Sequence, residues 1–118
     1  MSLTDARTHP MADRLPAGLL RNIIAHLNPR RVMVFGSQAT GTTHRDSDWD
    51  LLIIVDDDTP AERVNWRAMY EVRRGINAAI DLIPCRESTF RERVDVIGTL
   101  PWIVASEGVV VYERADRA

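Results

Sequence analysis

The sequence predicts an α/β (α+β) fold with a small mixed β-sheet and supporting helices. Short apolar runs typical of strands occur at residues 32–35, 51–55 and 109–112. Apolar residues also recur at helical spacing, most clearly from Leu15 to Leu27. An alternation of strand runs with one-sided helical segments is typical of a sheet covered by helices.

Length and composition indicate a folded protein that does not cross a membrane. The chain has 118 residues and 45% hydrophobic content, which predicts a single domain over residues 13–118. Residues 1–12 show no apolar periodicity, so we expect a flexible N-terminus there. No apolar run approaches the ~20 residues that span a bilayer, and the N-terminus lacks the apolar core of a secretory signal. The lone Cys85 permits no internal disulfide and fits a reducing compartment. We therefore expect a cytoplasmic location and no membrane partner.

The charge balance disfavours a general nucleic-acid-binding protein. The net charge is −2 and the pI is near 5.9, whereas nucleic-acid-binding domains are usually basic. We therefore expect no direct nucleic-acid binding. All fifteen basic residues are arginine, which reflects either genomic base composition or a use of planar guanidinium groups to bind phosphate or carboxylate.

The first half of the chain predicts a helix followed by two antiparallel strands. The helix covers about residues 16–28, with Pro16 in its first turn and Asn28–Pro29 at its end. Strands follow at about 31–36 and 49–55, joined by a short helical turn and an irregular loop over residues 37–47. The second strand is apolar on both faces, which is typical of a central strand.

The second half predicts further helices and two strands. Thr59 and Pro60 favour a helix start, and the helix is expected to run to about Arg74 with four arginines on its surface, which either face solvent or contact a partner or nucleotide. Residues 78–84 predict a strand that carries Asp81. The remaining predicted elements are a short helix after Ser88 with Phe90, Val94 and Ile97 on one face, a helix over 101–107 ended by Gly108, and a strand over 109–112.

Two aspartates and a Gly-Ser pair suggest a nucleotide site. Asp48 and Asp50 lie on one face of a strand, with Cα atoms roughly 6–7 Å apart, so their carboxylates can converge on divalent cations. Gly36 and Ser37 come where a strand turns into a helix start, and such turns direct backbone N–H groups at phosphate. Asp81 has apolar residues on both sides and needs a partner, either a metal site on the neighbouring strand or a surface salt bridge.

These residues resemble a known signature. Gly36-Ser37, a ten-residue gap and Asp48-x-Asp50 between two apolar strands resemble the DNA polymerase β-like nucleotidyltransferase superfamily, in particular its minimal nucleotidyltransferases, including MntA-type antitoxins. Glu107–Arg114 resembles the tail of those proteins. The resemblance implies the nucleotidyltransferase fold, with Asp48, Asp50 and Asp81 as catalytic metal ligands for two Mg²⁺ ions. It also implies Gly36 and Ser37 as the triphosphate cradle, with ATP as nucleotide donor.

The resemblance further implies a partner. Minimal nucleotidyltransferases of this kind neutralise a HEPN-domain toxin by transferring AMP to a toxin tyrosine. Two alternatives stay open: a non-catalytic nucleotide-binding antitoxin, and a small-molecule nucleotidyltransferase of the antibiotic-modifying kind working as a homo-oligomer. The cradle departs from the family pattern at Thr40, where arginine is usual, and Arg45 is the candidate to replace it.

Overall fold

One mixed sheet organises the computed structural model, which describes residues 6–41 and 48–115. Within those residues the strands are β1 (Arg7–Thr8), β2 (Arg31–Phe35), β3 (Trp49–Val55), β4 (Ile80–Arg86) and β5 (Val109–Glu113). They lie in the order β1-β5-β2-β3-β4. Neighbours are antiparallel except β3 and β4, which are parallel. The predicted mixed sheet and the antiparallel pairing of β2 with β3 are therefore confirmed.

Helices cover both faces of this sheet. The α-helices are α1 (Leu19–Leu27), α2 (Ser37–Thr40), α3 (Trp66–Arg73), α4 (Glu87–Arg93) and α5 (Leu100–Glu107), with 3-10 turns at Pro10–Arg14 and Ala61–Arg63. Asn28 follows α1 in the left-handed conformation and donates its backbone N–H to Ile24, which ends the helix close to the predicted boundary. No helix among these is long and apolar enough to cross a membrane.

Strand β3 is the centre of the core. Leu51, Ile53 and Val55 point to one face, where they pack with Ile23 of α1 and Val72 of α3. Side chains from the other face, Leu52 and Ile54, pack with Phe90 of α4 and Val104 of α5. These five side chains of β3 are buried, as expected for a strand buried on both faces, and each contributes about 1.5–3 kcal/mol of burial free energy.

The helix predicted from Thr59 begins later than expected. The chain makes a 3-10 turn at Ala61–Arg63, and α3 starts only after Asn65. The Asn65 side chain accepts a hydrogen bond from the Ala68 backbone N–H at 2.9 Å, so Asn65 caps the helix. The prediction that the helix starts at Thr59 was wrong. Asn65 also has a side chain that can cap a helix, and it lies closer to the buried residues of α3, Met69 and Val72.

The N-terminal segment forms more regular structure than its sequence indicated. Arg7–Thr8 pairs with β5, and the His9 N–H donates to the Val111 carbonyl at 3.0 Å. These contacts use backbone groups, so the periodicity of apolar side chains could not predict them. Whether residues 1–12 are flexible in solution stays a prediction.

Two other boundaries differ from the predictions. The strand expected at 78–84 is Ile80–Arg86, which includes half-buried Cys85. Helix α4 ends at Arg93, before Ile97. Ile97 lies outside the helix and its side chain is 78% exposed, so it was wrongly placed on a packed helix face.

An ion-pair network ties together the end of the sheet where β3 and β4 finish. Asp56 accepts hydrogen bonds from Arg30 at 3.0 Å and from Arg114 at 2.9 and 3.1 Å. Arg31 donates to Glu87 at 3.0 Å. Because these residues come from separate segments, the network links the starts of β2 and α4 to the chain after β3 and β5. We refer to it below as the arginine end of the sheet.

Candidate active site

Three predicted site residues meet at the opposite end of the sheet. Asp50 is the register partner of Asp81 across the parallel β3–β4 pair, and of Phe35 across the antiparallel β2–β3 pair. Gly36 directly follows Phe35, so it too lies beside Asp50. Neighbouring strands are about 4.8 Å apart, which brings the two aspartates together although they are far apart in sequence. We call this the acidic end of the sheet.

The aspartates face the side of the sheet that α4 and α5 cover. Alternation along β3 puts Asp50 on the same face as Leu52 and Ile54, and alternation along β4 puts Asp81 on the same face as Ile83. The packed layer on this face reaches Leu52, whereas Asp81 is exposed and Asp50 is half-buried. The two carboxylates therefore share one open surface at the margin of the core.

Asp48 completes the acidic end from just outside β3. Its side chain is exposed, and the following residue, Trp49, donates its backbone N–H to the Ala79 carbonyl at 2.9 Å. Partial burial raises the pKa of Asp50, and the negative charges of Asp81 and Asp48 raise it further. The charges of Asp48 and Asp81 thus make the ionised form of Asp50 less favourable.

Position 36, directly beside Asp50, accommodates only glycine. Its backbone has φ +74° and ψ −155°, a region essentially restricted to glycine. A Cβ at this position would lie 2.5 Å from Oδ2 of Asp50. The absence of a side chain therefore lets the chain turn directly against the carboxylate.

The turn after Gly36 is a single helical turn that begins with Ser37. The backbone N–H groups of Ala39 and Thr40 donate to the Gly36 carbonyl at 3.0 and 3.1 Å. The N–H group of Ser37, at the start of such a turn, has no partner inside the helix, which suits it to bind an anion. Gly36 and Ser37 thus adjoin the acidic end, as the sequence predicted.

The oxygen donors of this end match the chemistry of a hard divalent cation. Partial burial and then repulsion from Asp81 and Asp48 raise the pKa of Asp50. Mg²⁺ prefers carboxylate oxygens, and such a cation would offset the repulsion. In residues 6–41 and 48–115, however, no three His, Cys, Asp or Glu side chains are gathered closely enough to form a ready-made metal site. The three carboxylates share a strand end without converging, and their roles as metal ligands stay a prediction.

One contact at this end escaped the sequence analysis. Arg73, expected on a helix surface, donates to the carbonyl of Ile80 at 3.3 Å and so holds the start of β4 directly before Asp81. No local pattern marks this contact, because it depends on the path of the chain between α3 and β4. Thr40 donates its hydroxyl to the Gly36 carbonyl at 3.3 Å. Arg45, the candidate to replace the missing cradle arginine, lies outside the described residues.

Comparison with protein families gives a match over most of the chain. A model described as a nucleotidyltransferase domain matches residues 19–103, which include β2, β3 and β4 and all five predicted site residues. A search of curated protein sequences gave no match.

Solved structures share the fold at low sequence identity. A toxin–antitoxin structure with AMP-PNP is 18% identical, with a TM-score of 0.60, and the match covers 85% of this chain and 74% of that one. A putative nucleotidyltransferase from Sulfolobus solfataricus is 22% identical with a TM-score of 0.52, covering 81% and 75%. A mutant of the toxin–antitoxin MntA–HpeT is 14% identical with a TM-score of 0.56, covering 81% and 70%. At these identities the likeness shows the fold alone.

Proposed function

The chain belongs to the nucleotidyltransferase domain family, and on that premise we propose that it transfers AMP from ATP to a hydroxyl group of a partner protein. The observation that carries this proposal is the pairing of Asp50 with Asp81 in register, with Gly36 turned against the Asp50 carboxylate. Paired carboxylates beside a glycine turn suit a triphosphate held through divalent cations.

Each residue of the acidic end has a role in this proposal. Asp48 and Asp50 would hold one divalent cation beside the triphosphate, and Asp81 would hold a second. When bound, two Mg²⁺ ions would neutralise the three carboxylates and the charge that develops on the phosphates. The backbone N–H groups and hydroxyl at Gly36–Ser37 bind the phosphate oxygens.

The transfer step then needs a base and an open approach. Asp81 is exposed on the same face as Asp50, so an acceptor can reach it from solvent. Its carboxylate takes the proton of the acceptor hydroxyl or orients that hydroxyl. The hydroxyl oxygen attacks the α-phosphorus in line, a new P–O bond forms to AMP, and the bond to pyrophosphate breaks.

The acceptor we propose is a tyrosine of a HEPN-domain toxin, for which this chain is the antitoxin. Two structural neighbours are toxin–antitoxin structures, one of them with AMP-PNP. The other is a mutant in which two aspartates, two positions apart, are each replaced by glutamate, the same spacing as Asp48 and Asp50 here. A protein acceptor also agrees with the exposure of Asp81 among residues 6–41 and 48–115, since a bulky acceptor can approach an exposed carboxylate.

Co-expression with a HEPN-domain protein, sought among the products of the neighbouring genes, tests the proposal. Intact mass spectrometry of that protein should show added AMP units with the wild-type chain and none with Asp50→Asn. Asp56→Asn is the matched control, since it makes the same change on the chain that leaves β3 at the opposite end, and it should keep the modification. Neutralisation of the toxin without added nucleotide, or equal modification by Asp50→Asn, would contradict the enzymatic proposal.

A further inference from the structure

An edge strand of the sheet carries Asp81 at its start. Strand β4 lies at the end of the order β1-β5-β2-β3-β4, so β3 is its one strand neighbour in the described part of the chain. Asp81 is the second residue of β4, and its side chain is exposed. Packing therefore does little to fix this carboxylate, and its position follows that of the strand backbone. The ends of an edge strand also open more easily than a strand that is paired on both sides.

An arginine holds the outer side of this strand start. Trp49 donates its backbone N–H to the Ala79 carbonyl at 2.9 Å, so that carbonyl points towards β3. Successive carbonyls of an extended chain point to opposite sides, which directs the Ile80 carbonyl to the free edge. Arg73 donates from Nη1 to the Ile80 carbonyl at 3.3 Å. The guanidinium group therefore takes the place that a further strand would occupy beside the start of β4.

Arg73 can hold the strand because its own position is fixed. It is the last residue of α3, and the carbonyl before it, that of Val72, accepts a hydrogen bond from the Asn22 side chain of α1 at 3.0 Å. The Val72 side chain is fully buried. The Arg73 carbonyl accepts from the Ile76 N–H at 3.0 Å, so the backbone and the side chain of one residue brace the connection from α3 to β4.

The far end of β4 offers a comparison within the same strand. Arg86 also donates to backbone carbonyls, those of Asp56, Asp57 and Thr59, at 3.4, 2.8 and 2.9 Å. Arg86 lies five residues after Asp81, about 16 Å along the strand. Both arginines thus fix an end of β4 through carbonyl oxygens, but only Arg73 does so beside the acidic end.

We propose that Arg73 is a positioning residue for Asp81, which keeps that carboxylate beside Asp50 by holding the start of β4. This role rests on the proposed function, in which Asp81 would hold the second cation and meet the acceptor hydroxyl. The triphosphate, in contrast, would be held at Gly36–Ser37 and by the cation on Asp48 and Asp50. Displacement of Asp81 should therefore lower kcat for transfer and leave the KM for ATP unchanged.

Three variants separate positioning from stability. Arg73→Met removes the donors and keeps an unbranched stem, and it should lower kcat at least about tenfold, as for loss of a group that orients a metal ligand, with the KM for ATP within about twofold of wild type. Arg73→Lys keeps a donor and should stay within about threefold of the wild-type kcat. Arg86→Met is the matched control: it loses hydrogen bonds to three carbonyls and should unfold at lower urea than Arg73→Met, yet keep kcat within about threefold at a temperature where it is folded.

Hydrogen exchange of the metal-free protein gives a readout that needs no activity. The Trp49 N–H is bonded to the carbonyl next to Ile80, so NMR should show its exchange at least about fivefold faster in Arg73→Met and unchanged in Arg86→Met. Unchanged Trp49 exchange in Arg73→Met, a wild-type kcat in that variant, or an equal fall of kcat in Arg86→Met would overturn the proposal. A wild-type chain that transfers no nucleotide would instead refute the proposed function, and the Trp49 exchange rates would still decide whether Arg73 holds the strand.

Discussion

The two ends of β3 place aspartates in opposite electrostatic surroundings. At the acidic end, partial burial and the neighbouring Asp81 and Asp48 raise the pKa of Asp50. At the arginine end, hydrogen bonds from Arg114 and Arg30 lower the pKa of Asp56. The same residue type is thus penalised at one end of the strand and stabilised at the other.

The two ends differ in whether arginine side chains neutralise their carboxylates. All fifteen basic residues are arginine, and four of them form ion pairs with Asp56 or Glu87: Arg30, Arg31, Arg91 and Arg114. In the described ranges no arginine forms an ion pair with Asp48, Asp50 or Asp81. We interpret the arginine end as a structural device and the acidic end as a site kept for external cations.

The largest expected effect is on nucleotide transfer, which should require the aspartate at the acidic end and not the one at the arginine end. Asp50→Asn should lower nucleotide transfer more than about 100-fold, because loss of a metal ligand costs at least as much as loss of the groups that orient ligands. Asp56→Asn should keep transfer within about threefold of wild type at a temperature where it is folded. Transfer is measured as labelled nucleotide incorporated into the partner. Equal losses in both variants would remove the distinction between the ends.

The next effect tests the turn against Asp50. Gly36→Ala should destabilise the fold by about 1–3 kcal/mol through its backbone conformation and should also displace the Asp50 carboxylate, so that transfer falls with it. Gly41→Ala is the matched control: Gly41 also has positive φ, +80°, but a Cβ there meets no atom of residues 6–41 and 48–115 within 4 Å. It should lose stability alone. Urea unfolding and transfer assays on both variants make the measurement, and a Gly36→Ala variant of full activity would contradict the role of the turn.

Loss of the arginine end should appear as a pH-dependent loss of stability. Asp56→Asn should cost about 1–2 kcal/mol at pH 7, since it removes charge-assisted hydrogen bonds to Arg30 and Arg114. The folded pKa of Asp56 is below its unfolded value, so its contribution is present above the unfolded pKa and is lost as pH falls through the folded pKa. The difference between variant and wild type should therefore shrink below about pH 4. Urea titrations at several pH values test this, and a difference that grows on acidification would contradict it.

The smallest effect is a gain of stability at the acidic end. In the presence of EDTA at pH 7, Asp50→Asn should be more stable than wild type by about 0.2–1 kcal/mol, because like charges on adjacent strands repel. Added Mg²⁺ should raise the melting temperature of wild type and should not raise that of the variant. A wild-type protein that is insensitive to Mg²⁺ would argue against cation binding at these carboxylates.

Sequence reasoning reached the elements that depend on local pattern. The apolar run of β3 predicted a central strand, and Asn28 marked the end of α1, since both depend on burial periodicity and backbone preference within a few residues. The sequence also indicated Asp81 as a candidate site residue, because a carboxylate between apolar neighbours is unusual. Its pairing with Asp50, however, followed from the parallel register of β3 with β4, which no local pattern contains.

What sequence reasoning missed depends on tertiary contacts. Strand β1 exists because its backbone pairs with β5. Arg73 of α3 holds the start of β4 through its hydrogen bond to the Ile80 carbonyl. The fork of Arg114 on Asp56 joins residues 58 positions apart. Asp57 likewise accepts a hydrogen bond from the Ser88 N–H in α4 at 2.8 Å, across 31 positions of sequence.

A crystal soaked with Mn²⁺ and a non-hydrolysable ATP analogue tests the central claim most directly. The claim predicts anomalous scattering peaks between the carboxylates of Asp48, Asp50 and Asp81, with the triphosphate against the backbone of Gly36–Ser37. Peaks at other residues, or a nucleotide bound elsewhere while Asp81 points away from Asp50, would contradict it.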